Sequence, residues 1–263
     1  MDGNGQTAPT TPPPLNWKTA GTDTMFCKIG AYGSQGSGKT TTMTIVAAMI
    51  AKLSGKAQVY MLDSEGGSDY VAGILERGGI TLKAIKTREF SALVEVFESM
   101  GQSGEIIIVD SVTHFSENVK ENFLKARGRK TIELRDWTVL NETWRMFTKP
   151  FISSKLHALL CGRMAFDYET IVNEQGKMEF YKSDSKMKAA DQLGHEPALL
   201  LRMEQLDSAL SKEKFLAATT KEDRTRAMQD MRATSSIDFV ATVEKDRTWL
   251  LQGKRFVFTS TED

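Results

Sequence analysis

GSQGSGKT, residues 33–40, is the stretch that decides the fold. It follows an apolar run, MFCKIGAY (25–32), and precedes a helical pattern, which is the setting that G-x-x-x-x-G-K-T requires to act as a phosphate loop. A triphosphate carries clustered negative charge. Successive backbone N–H groups of a glycine-rich turn, reinforced by a helix N-terminus, form a concave cradle for it. The predicted cradle is Gly33, Ser34, Gln35, Gly36, Ser37, Gly38, Lys39, Thr40 and Thr41. Gly36 and Gly38 permit close backbone approach, Lys39 reaches the β and γ phosphates, and the Thr40 hydroxyl is a ligand for Mg²⁺.

Working outward, five short apolar runs alternate with helical patterns, as in an α/β sheet with crossover helices. They are MFCKIGAY (25–32), AQVYMLD (57–63), ITLKAI (80–85), EIIIVD (105–110) and LHALLCG (156–162). Their near-continuous apolarity predicts parallel strands covered on both faces. Met43, Val46, Ala47, Ile50 and Leu53 have helical spacing, as do Leu93, Phe97 and Met100. Two more helices are predicted at 115–127 and 132–148, the second stopping before Pro150, with Trp137, Trp144 and Phe147 in the core. The rhythm then changes. FDYETIV and KMEFYK, joined by NEQG, predict an antiparallel hairpin, and ALLLRME, IDFVATVEK and RFVF predict further strands.

At 263 residues the chain can bury one generous core, and the prediction is one α/β domain over 18–263. Residues 1–17 hold four of the six prolines and predict a disordered Pro/Thr-rich arm, and 208–232 predict a charged helical insert. Lys plus Arg balance Asp plus Glu at 34 each, so any nucleic-acid contact must come from a local cluster. The two cysteines, Cys27 and Cys161, sit in apolar runs and do not make a disulfide framework. No apolar run is long enough to span a bilayer, so the sequence predicts a cytoplasmic protein without a membrane contact.

Five further features bear on chemistry. Asp110 ends the buried run IIIVD, where a carboxylate can orient Mg²⁺ or one of its waters, or cap a turn. Asp63 and Glu65 fall in LDSEGG at the end of the second strand. There Glu65 can act on a water attacking the γ-phosphate while Asp63 caps the turn, or both can be turn formers beside Gly66 and Gly67. Arg163 follows the fifth strand and either senses the γ-phosphate or forms a surface ion pair. Lys245 and Arg247, two apart near the end of a late strand, share one face. They either reach a neighbouring subunit's nucleotide or are solvated charges. His114, four residues past Asp110, either relays nucleotide state or is a satisfied polar residue.

In their order, GSQGSGKT, LDSEGG, IIIVDSVT and KDR resemble the RecA-type branch of P-loop ATPases, and within it the compact phage ATPases associated with single-strand annealing. The resemblance covers about 25–258. It implies a RecA-like fold and ATP hydrolysis with Mg²⁺ held near Thr40 and Asp110. It further implies Glu65 as the water-activating base, Arg163 as γ-phosphate sensor, Lys245 and Arg247 acting in trans, and self-association into a ring or filament. A phage origin would place the protein in the bacterial host cytoplasm. Two features depart from the pattern: recombinases commonly carry an amide at the position of Arg163, and the insert at 208–232 is additional.

The same resemblance puts DNA on the loops after the fourth and fifth strands. Residues 120–135 carry six Lys or Arg against two Glu. Lys125, Arg127, Arg129 and Lys130 there, with Lys186 and Lys188 in the later loop, are the candidate contacts to single-stranded DNA. Phe166, Tyr168, Phe180 and Tyr181 offer stacking faces or pack the hairpin, and the cations have solvated faces as their other reading. Two functions follow: an oligomeric ATPase of DNA recombination or annealing, and a nucleotide-switched assembly ATPase that engages a protein through the insert or the arm.

Overall fold

The computed structural model describes residues 25–172, 178–189, 193–207 and 237–259. The arm at 1–17, the NEQG turn and the insert at 208–232 lie outside them. The elements in order are β1 (Lys28–Gly33), α1 (Lys39–Ser54), β2 (Gln58–Asp63), α2 (Ser68–Glu76), β3 (Thr81–Lys86), α3 (Phe90–Met100) and β4 (Ile106–Asp110). They continue with α4 (Val112–Arg127), α5 (Asp136–Ser153), β5 (His157–Val172), β6 (Met178–Lys188), β7 (Leu199–Asp207), β8 (Ile237–Asp246) and β9 (Arg255–Thr259).

One sheet runs β3-β2-β4-β5-β1-β7-β8-β9, with β6 paired to β5. The strands from β3 to β7 are parallel to their neighbours, and β8 and β9 close the far side antiparallel. The central strands are buried on both faces because their side chains alternate between two cores. Ile106 and Ile108 point into one core with Met43, Ala47 and Ala51 of α1 and Val71 and Leu75 of α2. Ile107 and Val109 point into the other, with Leu93 and Phe97 of α3, Phe115 of α4, and Leu140, Trp144 and Phe147 of α5. The sheet is therefore the middle of three layers.

Register sets the site. Asp63 stands beside Asp110, Asp110 beside Cys161, and Gly33 beside Arg163, so the C-terminal ends of β1, β2, β4 and β5 meet at one edge. The long β5 serves two purposes. Its first part lies in the parallel sheet, and from Arg163, opposite Lys188, it rises from that edge as a hairpin with β6.

Three helical expectations are corrected. α1 buries Met43, Ala47 and Ala51, while Leu53 is 88% exposed, because i, i+4, i+8 spacing turns it off the sheet-facing stripe. α5 begins at Asp136 rather than 132, because the Asp136 carboxylate accepts from the Glu133 amide (2.8 Å) and Arg129 (2.8 Å), closing the preceding residues into a turn. It also runs through Pro150 to Ser153. The last turn carries Phe151, wholly buried against Phe97 and Phe147, and this packing outweighs the lost proline donor. Trp137 is 37% exposed and lies under the Lys120 ammonium, 5.2 Å from its ring centre, outside the core. Truncating Phe147 to Ala should cost about 3–5 kcal/mol in denaturant unfolding, whereas Leu53→Ala should stay within about 0.5 kcal/mol.

Candidate functional site

The phosphate loop is built by contacts that leave no room for larger residues. A Cβ on Gly33 would lie 2.2 Å from the Met203 carbonyl oxygen, so this strand end passes β7 only as glycine. Gly36 and Gly38 take φ of +78° and +81°, a conformation that suits glycine and turns the chain into α1. The Lys39 ammonium donates to the Ser34 carbonyl at 2.6 Å, across the mouth of the loop. Burial lowers its pKa from the ordinary lysine value. An ammonium that has lost its water beside a nest of amides is suited to an incoming polyanion.

Thr40, in the first turn of α1, donates its hydroxyl to Asp110 Oδ2 at 2.5 Å. Asp110 is almost completely buried, and desolvation, with the Glu65 charge adding, pushes its pKa up to about 6 against the Thr40 hydrogen bond. A buried carboxylate at that cost, with a hydroxyl beside it, is the donor set of a hard divalent cation, so these residues fit Mg²⁺. Gly67 completes the wall: a Cβ there would meet Thr40 Cγ2 at 3.3 Å and Asp110 Oδ2 at 3.6 Å.

The acidic turn divides its labour. Asp63 is wholly occupied, accepting from the amides of Glu65 (3.0 Å), Gly66 (2.7 Å), Gly67 (3.1 Å) and Ser68 (2.9 Å). Against the burial that raises it, these bonds hold its pKa below the usual carboxylate value. Glu65 is left facing the loop, 34% exposed, with Arg163 Nε donating to its Oε1 at 3.0 Å. Glu65 and Arg163 line a cavity of about 260 Å³ with Gly33, Ser34, Gln35, Lys39 and Met164.

The geometry thus brings together Lys39, Thr40, Asp110, Glu65 and Arg163. It keeps Lys245 and Arg247 apart from them. Lys245 is level with Leu200 and hence with Gly30, and Arg247 lies further toward the opposite edge of the sheet. Both rest on the segment before β7: Lys245 donates to the His195 carbonyl and Arg247 to the Glu196 carbonyl at 3.2 Å. Burial, with the Arg247 charge adding, lowers the Lys245 pKa.

The predicted DNA contacts also divide into two groups. Lys125, Arg127, Arg129 and Lys130 lie at the far end of α4, about 20 Å along the helix from Val112 at 1.5 Å per residue. Arg129 is committed to Glu133 (2.5 Å) and Asp136 (2.8 Å), and Arg127 lies 5.4 Å from the Phe123 ring centre. Lys125 and Lys130 are exposed with no ion pair among the described residues. Lys186 and Lys188 stand at the hairpin root, Lys188 paired with Glu117 at 2.7 Å. Phe166 is partly exposed, and the side chains of Tyr168, Phe180 and Tyr181 lie outside the described residues.

Several positioning residues went unassigned in the sequence reading. Thr113 Oγ1 accepts from the Arg163 amide (2.9 Å) and donates to the Lys188 carbonyl (2.6 Å), tying the hairpin root to the start of α4. Arg88 donates to the Ser64 carbonyl at 3.0 Å behind Glu65. Its place after a modest edge strand gave no signal. Ser64, in LDSEGG, is bonded to the Ser111 amide (2.8 Å) and to His114 (2.8 Å).

Residues 25–250, most of the chain, match the protein family described as an AAA domain. The chain belongs to that family. No curated protein sequence matches it. The AAA domain makes the chain an ATPase of the P-loop NTPase type, with a nucleotide-hydrolysing role, and the three-layer sheet with its antiparallel C-terminal strands fits that fold. No helix among the described residues is long and apolar enough to cross a membrane.

For this AAA-domain ATPase, the strained charge at Asp110 gives a test. Because its folded pKa lies above the ordinary value, the group stabilises the nucleotide-free fold as pH falls through about 6 and withdraws that support above it. Asp110→Asn should therefore stabilise the nucleotide-free protein at pH 7.5, on the order of 1–2 kcal/mol, while abolishing the further stabilisation by Mg²⁺ and ATP. Thermal melts with and without both ligands measure this. A less stable variant that still responds to Mg²⁺ and ATP contradicts the assignment.

Proposed function

We propose that the chain is a RecA-like, Mg²⁺-dependent ATP hydrolase that works as an oligomer on single-stranded DNA, in recombination or strand annealing. The observation that carries this reading is the position of Arg163. Its side chain faces the phosphate loop and holds Glu65, while its backbone, opposite Lys188, begins the β5–β6 hairpin. Nucleotide occupancy and the hairpin's posture are thereby joined through one residue.

In the proposed reaction the loop amides and Lys39 hold the β and γ phosphates, Lys39 exchanging the Ser34 carbonyl for phosphate oxygen. Thr40 and Asp110 would hold Mg²⁺, which would neutralise charge on the phosphates. Glu65 orients the attacking water and accepts its proton. Arg163 turns from Glu65 to the γ-phosphate and stabilises the charge that develops there. Lys245 and Arg247, at the edge away from their own phosphate loop, act on the nucleotide of a neighbouring subunit.

DNA is engaged by the hairpin side, through Lys186 and Lys188, with Lys125 and Lys130 as a second contact. A second reading, a nucleotide-switched ATPase acting on a protein, draws support from Trp249 and Leu250, both largely exposed on the β8–β9 turn next to Arg247.

ATPase rate measured with and without single-stranded DNA over a salt series separates the two. The DNA reading expects stimulation of several fold that fades as salt rises, because cation–phosphate contacts release counterions. Absence of both stimulation and DNA retention at low salt rules it out and leaves the protein-directed reading. For shared sites, mixing inactive Lys245→Ala and Glu65→Gln subunits should restore part of the turnover. Mixtures as inactive as their parents contradict action in trans.

A further inference from the structure

We infer that His114 is a positioning residue that holds the Glu65 carboxylate over the phosphate loop during turnover; this rests on Glu65 being the base proposed above. His114 lies in the first turn of α4 and is buried, with its ring against the turn that follows β2. Its Nδ1 is 2.8 Å from Ser64 Oγ, and its Nε2 is 3.8 Å from Glu65 Oε1.

The distances around Ser64 favour one tautomer of the ring. Ser64 Oγ already accepts from the Ser111 amide at 2.8 Å, so its own hydrogen must go elsewhere. The Asp110 carbonyl, at 3.1 Å, already accepts from the Ser64 amide at 2.6 Å and the Ser111 carbonyl is farther at 3.5 Å, whereas Nδ1, at 2.8 Å, is the nearest acceptor. Donation to Nδ1 leaves the ring hydrogen on Nε2, directed at the glutamate. Burial, with the charges of Arg163 and Arg88 adding, holds the His114 pKa below the ordinary histidine value and keeps the ring neutral. A neutral N–H orients a carboxylate without cancelling the charge that makes it a base.

The need for such a donor follows from Arg163. In this structure Arg163 Nε holds Glu65 Oε1 at 3.0 Å, so the base is occupied by the group proposed to sense the γ-phosphate. When the guanidinium turns to phosphate, Glu65 loses that partner at the moment it must be aimed. The Nε2 of His114 lies about 0.6 Å beyond hydrogen-bonding range of Glu65 Oε1, a gap that a small side-chain rotation closes. The carboxylate thus passes from a resting partner to a working one.

Two substitutions separate positioning from mere structure. Asparagine at 114 reaches Ser64 as Nδ1 does and ends short of Glu65; glutamine extends to the place of Nε2. In the full chain, His114→Asn should lower kcat about tenfold, a small share of the ~10²–10⁴ that a general base supplies, with nucleotide affinity and melting temperature kept. His114→Gln should recover most of that loss. Wild-type kcat in His114→Asn, or equal losses in both variants, overturns the inference. Should neither variant fold, Ser64→Ala removes the hydroxyl that sets the ring tautomer and should also lower kcat; an unchanged kcat there overturns it. Glu65→Gln distinguishes the levels: full turnover in that variant removes the base assignment itself, whereas a dead Glu65→Gln beside an unaffected His114→Asn removes only the role of His114.

Discussion

The hydrogen bond from Thr40 to Asp110 is the contact on which the rest of the structure turns. It joins the first turn of the helix that follows the phosphate loop to the last residue of a fully buried strand, across the floor of the nucleotide site. A carboxylate so deeply desolvated is costly unless something positive shares it. A single hydroxyl is a small compensation, so Thr40 and Asp110 together suit a divalent cation. The loop glycines, the Asp63 cap and the close passage of Gly67 all hold the walls of that space in place.

Around this contact the sheet acts as a ruler. Parallel pairing sets β1, β2, β4 and β5 level, so that residues far apart in the chain, Gly33, Asp63, Asp110 and Arg163, arrive at one edge. The hairpin that continues β5 begins at the same level, beside the phosphate loop. Thr113 bridges its root to α4, and Ser64 and His114 bridge α4 back to the acidic turn. This edge of the sheet is therefore one connected polar network resting on two apolar layers.

The sequence made the strands legible because each carries its own evidence: a short apolar run bounded by turn residues, and, at the phosphate loop, a spacing with few other uses. Helix limits were harder. Nothing local foretells that Asp136 will cap the residues before it, or that Phe151 will draw a helix past Pro150, since both outcomes depend on partners distant in sequence. The same holds at the site. Asp110 and Glu65 could be picked from strand ends, but Thr113 and Arg88 act through hydrogen bonds to backbone groups of other elements, and such bonds leave no pattern of residue types. Nor does composition show that Arg129, a cation of the basic loop, is held by two acids that stand within seven residues of it.

A crystal structure with Mg²⁺ and a non-hydrolysable ATP analogue tests the central claim most directly. The account predicts the metal at Thr40 and Asp110, held directly or through one of its waters, the triphosphate on the loop amides, and Arg163 withdrawn from Glu65 toward the γ-phosphate. A metal held away from Asp110, or an Arg163 that keeps Glu65 while the γ-phosphate lies beyond its reach, would contradict it.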